Sequence, residues 1–195
     1  MRILAGTLKG RNIIAPKGRT TRPTLSRVRQ VLFDILDHGE QLPEWPQIAI
    51  VDVFAGSGSI GFEALSRGAF SAHFFDNDPV AQQVIAQNAA QFGLEGAIQI
   101  HSDARNPIRT ASAYQILFFD PPYDEAQHLA ACIKTFHDQG WFHAHSLIVV
   151  QMPAKIPAFS VPFRSKTMGI TRLDFYMGTE FSNQTDKETP YSLRQ

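Results

Sequence analysis

The stretch Ile48-Ala-Ile-Val-Asp-Val-Phe-Ala-Gly-Ser-Gly-Ser-Ile-Gly61 decides the fold of this chain. Residues 48–55 form an almost continuous apolar run, which predicts a central parallel strand covered on both faces. Glycines follow at positions 56, 58 and 61 and lead into a helical pattern at 60–67. A glycine turn between a strand and a helix lets a ligand approach the backbone, where free helix amides can bind it. Taken alone, the pattern also fits NAD binding or a structural turn.

Strands and helices continue to alternate beyond this stretch. Further strands are predicted at 72–75, 97–101, 115–119 and 146–152, and further helices at 78–93 and 125–139. Residues 161–177 predict an antiparallel hairpin that turns near Gly169. The alternation predicts an α/β fold with a doubly wound sheet, whose ligands bind beyond the carboxyl ends of the strands.

Composition divides the chain into three parts. Residues 1–20 predict a basic β-hairpin, residues 21–181 the main domain, and residues 182–195 a polar, disordered tail. The main domain opens with a predicted helix at 24–35, where apolar residues recur at helical spacing.

The net charge of zero conceals an uneven distribution of charge. The first 29 residues contain no Asp or Glu but eight of the 18 basic residues, which leaves ten basic against 18 acidic residues in the rest. Such a basic segment on an acidic body favours a polyanionic partner, although a solvated basic surface is the plainer alternative. The helical spacing places Arg27 and Arg29 away from the buried apolar stripe of the first predicted helix. The candidate contacts to nucleic acid are Arg2, Lys9, Arg11, Lys17, Arg19, Arg22, Arg27 and Arg29.

Several classes of protein are disfavoured by composition. The single cysteine, Cys132, excludes an internal disulfide framework and fits a reducing cytoplasm. No apolar run is long enough to span a bilayer, and the N-terminus does not have the pattern of a signal peptide. The seven histidines show no metal-ligand spacing, so we expect neither a metal nor a membrane partner.

Acidic residues follow the second and third predicted strands. Asp76, with Asn77 beside it, could accept hydrogen bonds from both hydroxyls of a ribose, whereas Asp78 is better placed to cap the next helix. Asp103, followed by Ala104, could accept a hydrogen bond from an adenine amino group. A loop or capping role explains Asp103 almost equally well.

The motif Asp120-Pro-Pro-Tyr123 directly follows the predicted strand at 115–119. The two prolines fix the backbone and remove amide donors, so that carbonyl groups remain as acceptors. The Asp120 carboxylate and the Pro121 carbonyl can hold both hydrogens of a base amino group. The nitrogen lone pair then points at an electrophilic methyl group, while Tyr123 stacks on the base. A simple turn is the alternative reading of Asp-Pro-Pro-Tyr.

With these motifs, the chain resembles the class I methyltransferases, and more narrowly the bacterial 16S ribosomal RNA guanine-N2 methyltransferases of the RsmD type. The resemblance covers about residues 1–180. It rests on Arg2-Ile-Leu-Ala-Gly with Lys9-Gly-Arg, Thr21-Arg-Pro-Thr-Leu-Ser-Arg-Val-Arg, Asp52-Val-Phe-Ala-Gly-Ser-Gly and Asp120-Pro-Pro-Tyr.

The resemblance implies a Rossmann-like, seven-stranded, mostly parallel sheet with an antiparallel C-terminal strand. It also implies methyl transfer from S-adenosylmethionine to N2 of guanine 966 in 16S rRNA, within the small ribosomal subunit or an assembly intermediate, by a cytoplasmic monomer. The residues it assigns to the methionine part of the cofactor are Asp52, Phe54, Ala55, Gly56, Ser57 and Gly58. It assigns the ribose to Asp76 and Asn77, the adenine to Asp103 and Ala104, and catalysis to Asp120, Pro121, Pro122 and Tyr123.

Three other functions fit parts of the sequence. Asp-Pro-Pro-Tyr chemistry serves adenine N6 in DNA or another RNA as well as guanine N2. An NAD-dependent oxidoreductase would use the same glycine turn but leaves Asp-Pro-Pro-Tyr unexplained. A noncatalytic RNA-binding module would leave both intact motifs without a role.

Overall fold

The computed structural model describes residues 1–16, 23–39, 42–122 and 126–182. The helices are α1 (Pro23–Asp37), α2 (Ser59–Ser66), α3 (Pro79–Phe92), α4 (Leu129–Asp138) and α5 (Thr179–Ser182). The strands are β1 (Ala49–Val53), β2 (Ser71–Phe75), β3 (Ile98–His101), β4 (Ile116–Phe119), β5 (Leu147–Pro153), β6 (Arg164–Met168) and β7 (Thr171–Met177).

The seven strands form one sheet in the order β3-β2-β1-β4-β5-β7-β6. Strand β7 runs antiparallel to both β5 and β6, and every other neighbouring pair is parallel. The predicted seven-stranded, mostly parallel sheet with an antiparallel last strand is therefore confirmed, and so is the hairpin that turns at Gly169.

Apolar side chains cover the sheet on both faces. Along β4, Ile116 and Phe118 pack into one core cluster with α1, α2 and α3, whereas Leu117 and Phe119 pack into the other with α4. Strand β1 divides in the same way, since Ile50 belongs to the first cluster and Val51 to the second. This two-sided burial explains the continuous apolar runs in the sequence.

The N-terminal arm, residues 1–16, is the described part of the β-hairpin predicted at 1–20, and residues 17–20 lie outside the described residues. Its two halves pair antiparallel, since the Ile3 amide donates to the Arg11 carbonyl at 3.0 Å and the Ile13 amide donates to the Met1 carbonyl at 2.7 Å. One antiparallel bridge joins Arg2 to Asn12, but the arm has no regular strand. The reason is that α2 takes up several of the amides that a strand ladder would use: Leu4 and Ala5 donate to the Glu63 carboxylate at 2.8 and 3.0 Å. Gly6 allows this close approach, because a Cβ at that position would lie 1.7 Å from the Ser66 carbonyl oxygen.

Helix boundaries agree with the capping signals in most places. The Asp78 carboxylate accepts a hydrogen bond from the Val80 amide at 2.8 Å at the start of α3, and Gly93 ends that helix with a left-handed φ of 69°. Helix α4 begins at Leu129, after a 3₁₀ turn at Ala126–His128, and so later than predicted. The sequence predicts a disordered tail at 182–195, but Ser182 is the last residue of α5, and residues 183–195 lie outside the described residues.

Candidate active site

Three loops begin side by side at the carboxyl edge of the sheet. The register pairs Val53 of β1 with Phe75 of β2 and with Phe119 of β4. Beyond the strands, the Asp120 amide donates to the Val53 carbonyl at 3.3 Å, and the Ala55 amide donates to the Phe75 carbonyl at 2.9 Å. The chain order reverses between β1 and β4, which is where ligands bind in open α/β sheets.

The glycine loop, residues 54–58, joins β1 to α2. Phe54, Gly56 and Gly58 all have positive φ, at 65°, 57° and 74°. A left-handed conformation costs a residue with a side chain about 1–2 kcal/mol, so the turn holds the Phe54 ring at the carboxyl edge against its backbone preference. Phe54 lines two cavities, of about 140 and about 420 Å³.

Asp52 faces the start of α2 from the end of β1. It is buried, and its carboxylate accepts a hydrogen bond from the Gly61 amide at 3.1 Å. Burial raises the pKa of Asp52 well above its usual value; the Gly61 bond opposes this effect, and the nearby Asp120 and Asp76 carboxylates add to it. The contact to Gly61 makes Asp52 a support for the loop-to-helix junction.

Asp76 connects the end of β2 with the glycine loop. One carboxylate oxygen accepts from the Gly56 amide at 2.7 Å, and the other accepts from the Asp78 amide at 2.9 Å. Asp76 is buried, whereas the neighbouring Asn77 is exposed. Because a carboxylate oxygen has more than one lone pair, these bonds leave acceptor capacity for a ligand hydroxyl.

Asp103 caps a local turn after β3. Its carboxylate accepts a hydrogen bond from the Arg105 amide at 2.8 Å, and the residue is exposed. This contact is the loop role that the sequence leaves open for Asp103. Ala104 is buried, and its carbonyl accepts a hydrogen bond from the Cys132 thiol.

The 140 Å³ cavity brings the glycine loop together with the residue that follows β4. Phe54, Gly56, Ser57 and Asp120 line it from the sheet edge. Asp120 is half-buried, Pro121 is buried and Pro122 is exposed. Tyr123, predicted to stack on a base, lies outside the described residues.

The N-terminal arm forms another wall of this cavity. Met1, Ala15 and Pro16 line it, together with Arg29 from α1. The two sequence motifs and the basic arm therefore share one cavity, although they are far apart along the chain.

Arg29 corrects one prediction from the helical pattern. It is 2% exposed rather than projecting away from the core. Its guanidinium donates to the Arg2 carbonyl and to the Met1 sulfur, and its Nε lies 3.7 Å from the Glu63 carboxylate. Burial lowers the pKa of Arg29, and the charge of Glu63 opposes that effect. The arm folds over this face of α1 and buries a side chain that the helix alone would expose.

The other candidate contacts to nucleic acid divide into two groups. Arg2, Lys9, Arg11 and Arg27 are exposed. Lys17, Arg19 and Arg22 lie outside the described residues.

A family model described as "Conserved hypothetical protein 95" matches residues 1–177. The chain belongs to this family, the RsmD family. The match includes the N-terminal arm as well as the whole seven-stranded sheet, and it confirms the resemblance drawn from the sequence motifs.

Two relatives of this RsmD-family chain match over most of their length. It is 32% identical over 163 residues to the ribosomal RNA small subunit methyltransferase D of Escherichia coli (strain K12), covering 83% of this chain and 79% of the relative. It is 31% identical over 187 residues to a Bacillus subtilis (strain 168) protein provisionally named rRNA methyltransferase YlbH, covering 90% and 98%.

A solved structure agrees with the family fold. The Escherichia coli protein provisionally named methyltransferase yhhF superposes with a TM-score of 0.75 at 29% identity, covering 91% of this chain and 97% of that one. The RsmD-family chain thus has the class I methyltransferase fold.

Two buried polar residues of this RsmD-family fold lie outside the sequence motifs. Glu63 in α2 and Asn88 in α3 are both 0% exposed. Each of them has hydrogen-bond partners in the N-terminal arm that lie more than fifty residues away along the chain, and no local pattern in the sequence indicates those partners. Among the described ranges, no group of three or more His, Cys, Asp or Glu is arranged to hold a metal ion, and no helix could cross a membrane.

Proposed function

We propose that this protein transfers a methyl group from S-adenosylmethionine to the exocyclic N2 of a guanine in the 16S rRNA of the small ribosomal subunit. The observation that carries the proposal is the cavity shared by the glycine loop and Asp120. The relatives named as rRNA methyltransferases support the class of reaction and of substrate.

The carboxyl edge fits S-adenosylmethionine. The glycine loop would hold the methionine part, Asp76 with Asn77 the ribose, and Asp103 with Ala104 the adenine. The fit rests on the direct bond between Asp76 and Gly56, because it places a carboxylate next to a loop whose backbone lines the cavity. When bound, this cofactor supplies an electrophilic methyl group on a positively charged sulfur.

Asp120 and Pro121 would orient the base in this cavity. The Asp120 carboxylate and the Pro121 carbonyl each accept one hydrogen of the amino group, which turns the nitrogen lone pair towards the methyl group. Prolines at positions 121 and 122 have no amide hydrogen and so present acceptors alone. The new C–N bond would form as the bond between the methyl carbon and the sulfur breaks, with the electron pair of that bond left on the sulfur. The amine then loses one proton, and the Asp120 carboxylate is the neighbouring acceptor for it.

The exposed basic residues would grip the RNA. Arg2, Lys9, Arg11 and Arg27 bind phosphates and position the strand, while the target guanine leaves its stack and enters the cavity. Loops of RNA present unstacked bases more readily than a duplex does, which favours an RNA substrate.

The test is the identity of the methylated nucleoside. Purified protein is incubated with labelled S-adenosylmethionine and small ribosomal subunits from cells that lack the gene, and in parallel with duplex DNA. We expect label in N2-methylguanosine from the ribosomal subunits only. Label in N6-methyladenosine would replace the proposed substrate, and absence of cofactor binding would overturn the proposal.

A further inference from the structure

We propose that Asn88 couples the N-terminal arm to the glycine loop, so that RNA and cofactor strengthen each other's binding. The inference rests on the proposed function, since it assigns RNA to the arm and the cofactor to the loop. Asn88 itself is a positioning residue, because it touches neither reacting group.

The side-chain amide of Asn88 bonds to both elements at once. Its nitrogen donates to the Ser57 carbonyl at 3.2 Å and to the Ile14 carbonyl at 3.0 Å. Its oxygen accepts from the Ile14 amide at 2.8 Å. One fully buried side chain thus bridges the arm and the glycine loop from α3.

Both ends of this bridge lie at the cavity. Ser57 lines it directly, and Ile14 is followed by Ala15 and Pro16, which also line it. Moving the arm away would leave the fully buried side-chain amide of Asn88 without its partners in Ile14, which is unfavourable. When RNA stabilises one conformation of the arm, it therefore also favours one conformation of Ser57 in the glycine loop. The factor by which RNA raises the affinity for the cofactor equals the factor by which the cofactor raises the affinity for RNA.

Gln91 offers a matched control one turn along α3. Its side-chain nitrogen donates to the Asn12 carbonyl at 2.9 Å, and its backbone carbonyl accepts from the Arg11 guanidinium at 2.8 Å. The residue is exposed. The same Gln91 nitrogen also donates to the Asn88 side-chain oxygen at 3.0 Å. Gln91→Ala thus removes one side-chain contact to the arm and one to Asn88, but it keeps both bonds that the Asn88 nitrogen donates to Ser57 and Ile14.

The experiment measures the Kd of S-adenosylhomocysteine with and without saturating small ribosomal subunits from cells that lack the gene. This ligand carries no transferable methyl group, so no turnover disturbs the equilibrium. We expect the subunits to tighten binding about 5-fold or more in the wild-type protein and in Gln91→Ala. In Asn88→Asp, which keeps an acceptor for the Ile14 amide but loses both donors, the two Kd values should agree within about 2-fold.

Hydrogen exchange in the wild-type protein gives a second test, which does not depend on whether a substituted protein folds. The Gly58 amide donates to the Ala55 carbonyl inside the glycine loop, at 2.8 Å. Its exchange should slow when ribosomal subunits are added without cofactor. The coupling would be overturned if the exchange of this amide did not change. It would also be overturned if ribosomal subunits tightened S-adenosylhomocysteine binding as much in a folded Asn88→Asp as in the wild-type protein. Methyl transfer would persist in either case. Failure of the wild-type protein to bind S-adenosylhomocysteine would instead overturn the proposed function, and the coupling with it.

Discussion

The Gly56 amide donates a 2.7 Å hydrogen bond to the carboxylate of Asp76, which ties the glycine loop to the end of the neighbouring strand β2. The same carboxylate accepts from the Asp78 amide, so it also holds the turn that leads into α3. The geometry of the proposed cofactor loop thus depends on a side chain 20 residues further along the chain.

Replacing Asp76 should therefore weaken cofactor binding as well as the fold. Asp76→Ala removes both bonds, and we expect the free energy of unfolding to fall by about 1–3 kcal/mol and the Kd of S-adenosylhomocysteine to rise about 10-fold or more. Asp78→Ala is the control, because it removes only the α3 cap, for about 1 kcal/mol. Equal Kd values in the two variants, measured by calorimetry, would contradict the role of Asp76.

If the basic arm binds RNA phosphates, the affinity for RNA should fall with increasing salt concentration. Lys9→Ala combined with Arg27→Ala removes two exposed charges, and each lost phosphate contact should reduce the slope of log K against log [salt] by about 0.7 to 0.9. Arg164→Ala with Lys166→Ala removes two exposed charges on β6 and should leave the slope unchanged. RNA binding measured across a salt series decides between these results, and an equal drop in both double variants would remove the arm from the RNA interface.

The buried charge of Glu63 should matter for stability. Its carboxylate accepts from the Leu4 and Ala5 amides and from the Arg67 guanidinium, and it lies near Arg29. Breaking such a buried pair by removing one charge costs about 3 kcal/mol or more, so Glu63→Gln should unfold at clearly lower denaturant concentration.

The control for Glu63 is an exposed ion pair. Lys134→Ala breaks the contact between Lys134 and Asp138, at 2.7 Å, and should cost less than about 1 kcal/mol. The amides of Leu4 and Ala5 should exchange faster in Glu63→Gln and at the wild-type rate in Lys134→Ala. Comparable stability of the two variants would show that Glu63 does not anchor the arm.

Because His73 is buried, we expect the protein to lose stability in mild acid. Its ring nitrogen lies 3.1 Å from that of His101, and burial, with a smaller contribution from His101, lowers the pKa of His73 to about 4. The unfolded chain, in which the pKa of histidine is about 6.5, binds more protons between these values. The contribution of neutral His73 to the free energy of unfolding is therefore fully present above about pH 6.5, and this free energy falls by a few kcal/mol as the pH drops towards 4.

Urea unfolding across that pH range measures the effect. The slope of stability against pH should be smaller in His73→Gln than in the wild-type protein. The exposed His145 is the control, and His145→Gln should retain the wild-type slope. A wild-type slope in His73→Gln would assign the pH dependence to other groups.

Much of the fold follows from patterns within single segments. The apolar run of β1 predicts a strand buried on both faces, and Asp78-Pro79 predicts the start of α3, because these signals depend on neighbouring residues alone. The carboxyl edge follows next, since parallel strands place Asp76 and Asp120 at the same end of the sheet.

The remaining features depend on contacts between distant segments. Arg29 reads as a polar residue on an amphipathic helix, and only the arm that folds over α1 and the approach of Glu63 explain its burial. Asn88 is likewise a polar residue in a helix, which the sequence alone would place on the exposed face. A buried polar side chain needs partners, but the sequence does not say which segment supplies them.

The central claim is that Asp120 holds the amino group that receives the methyl, and Asp120→Asn tests it most directly. This variant keeps the shape of the side chain and removes its charge. Single-turnover transfer to small ribosomal subunits should fall about 100-fold or more, while the Kd of S-adenosylhomocysteine stays within about 3-fold of the wild-type value. Transfer at the wild-type rate in Asp120→Asn and in Asp120→Ala would contradict the claim.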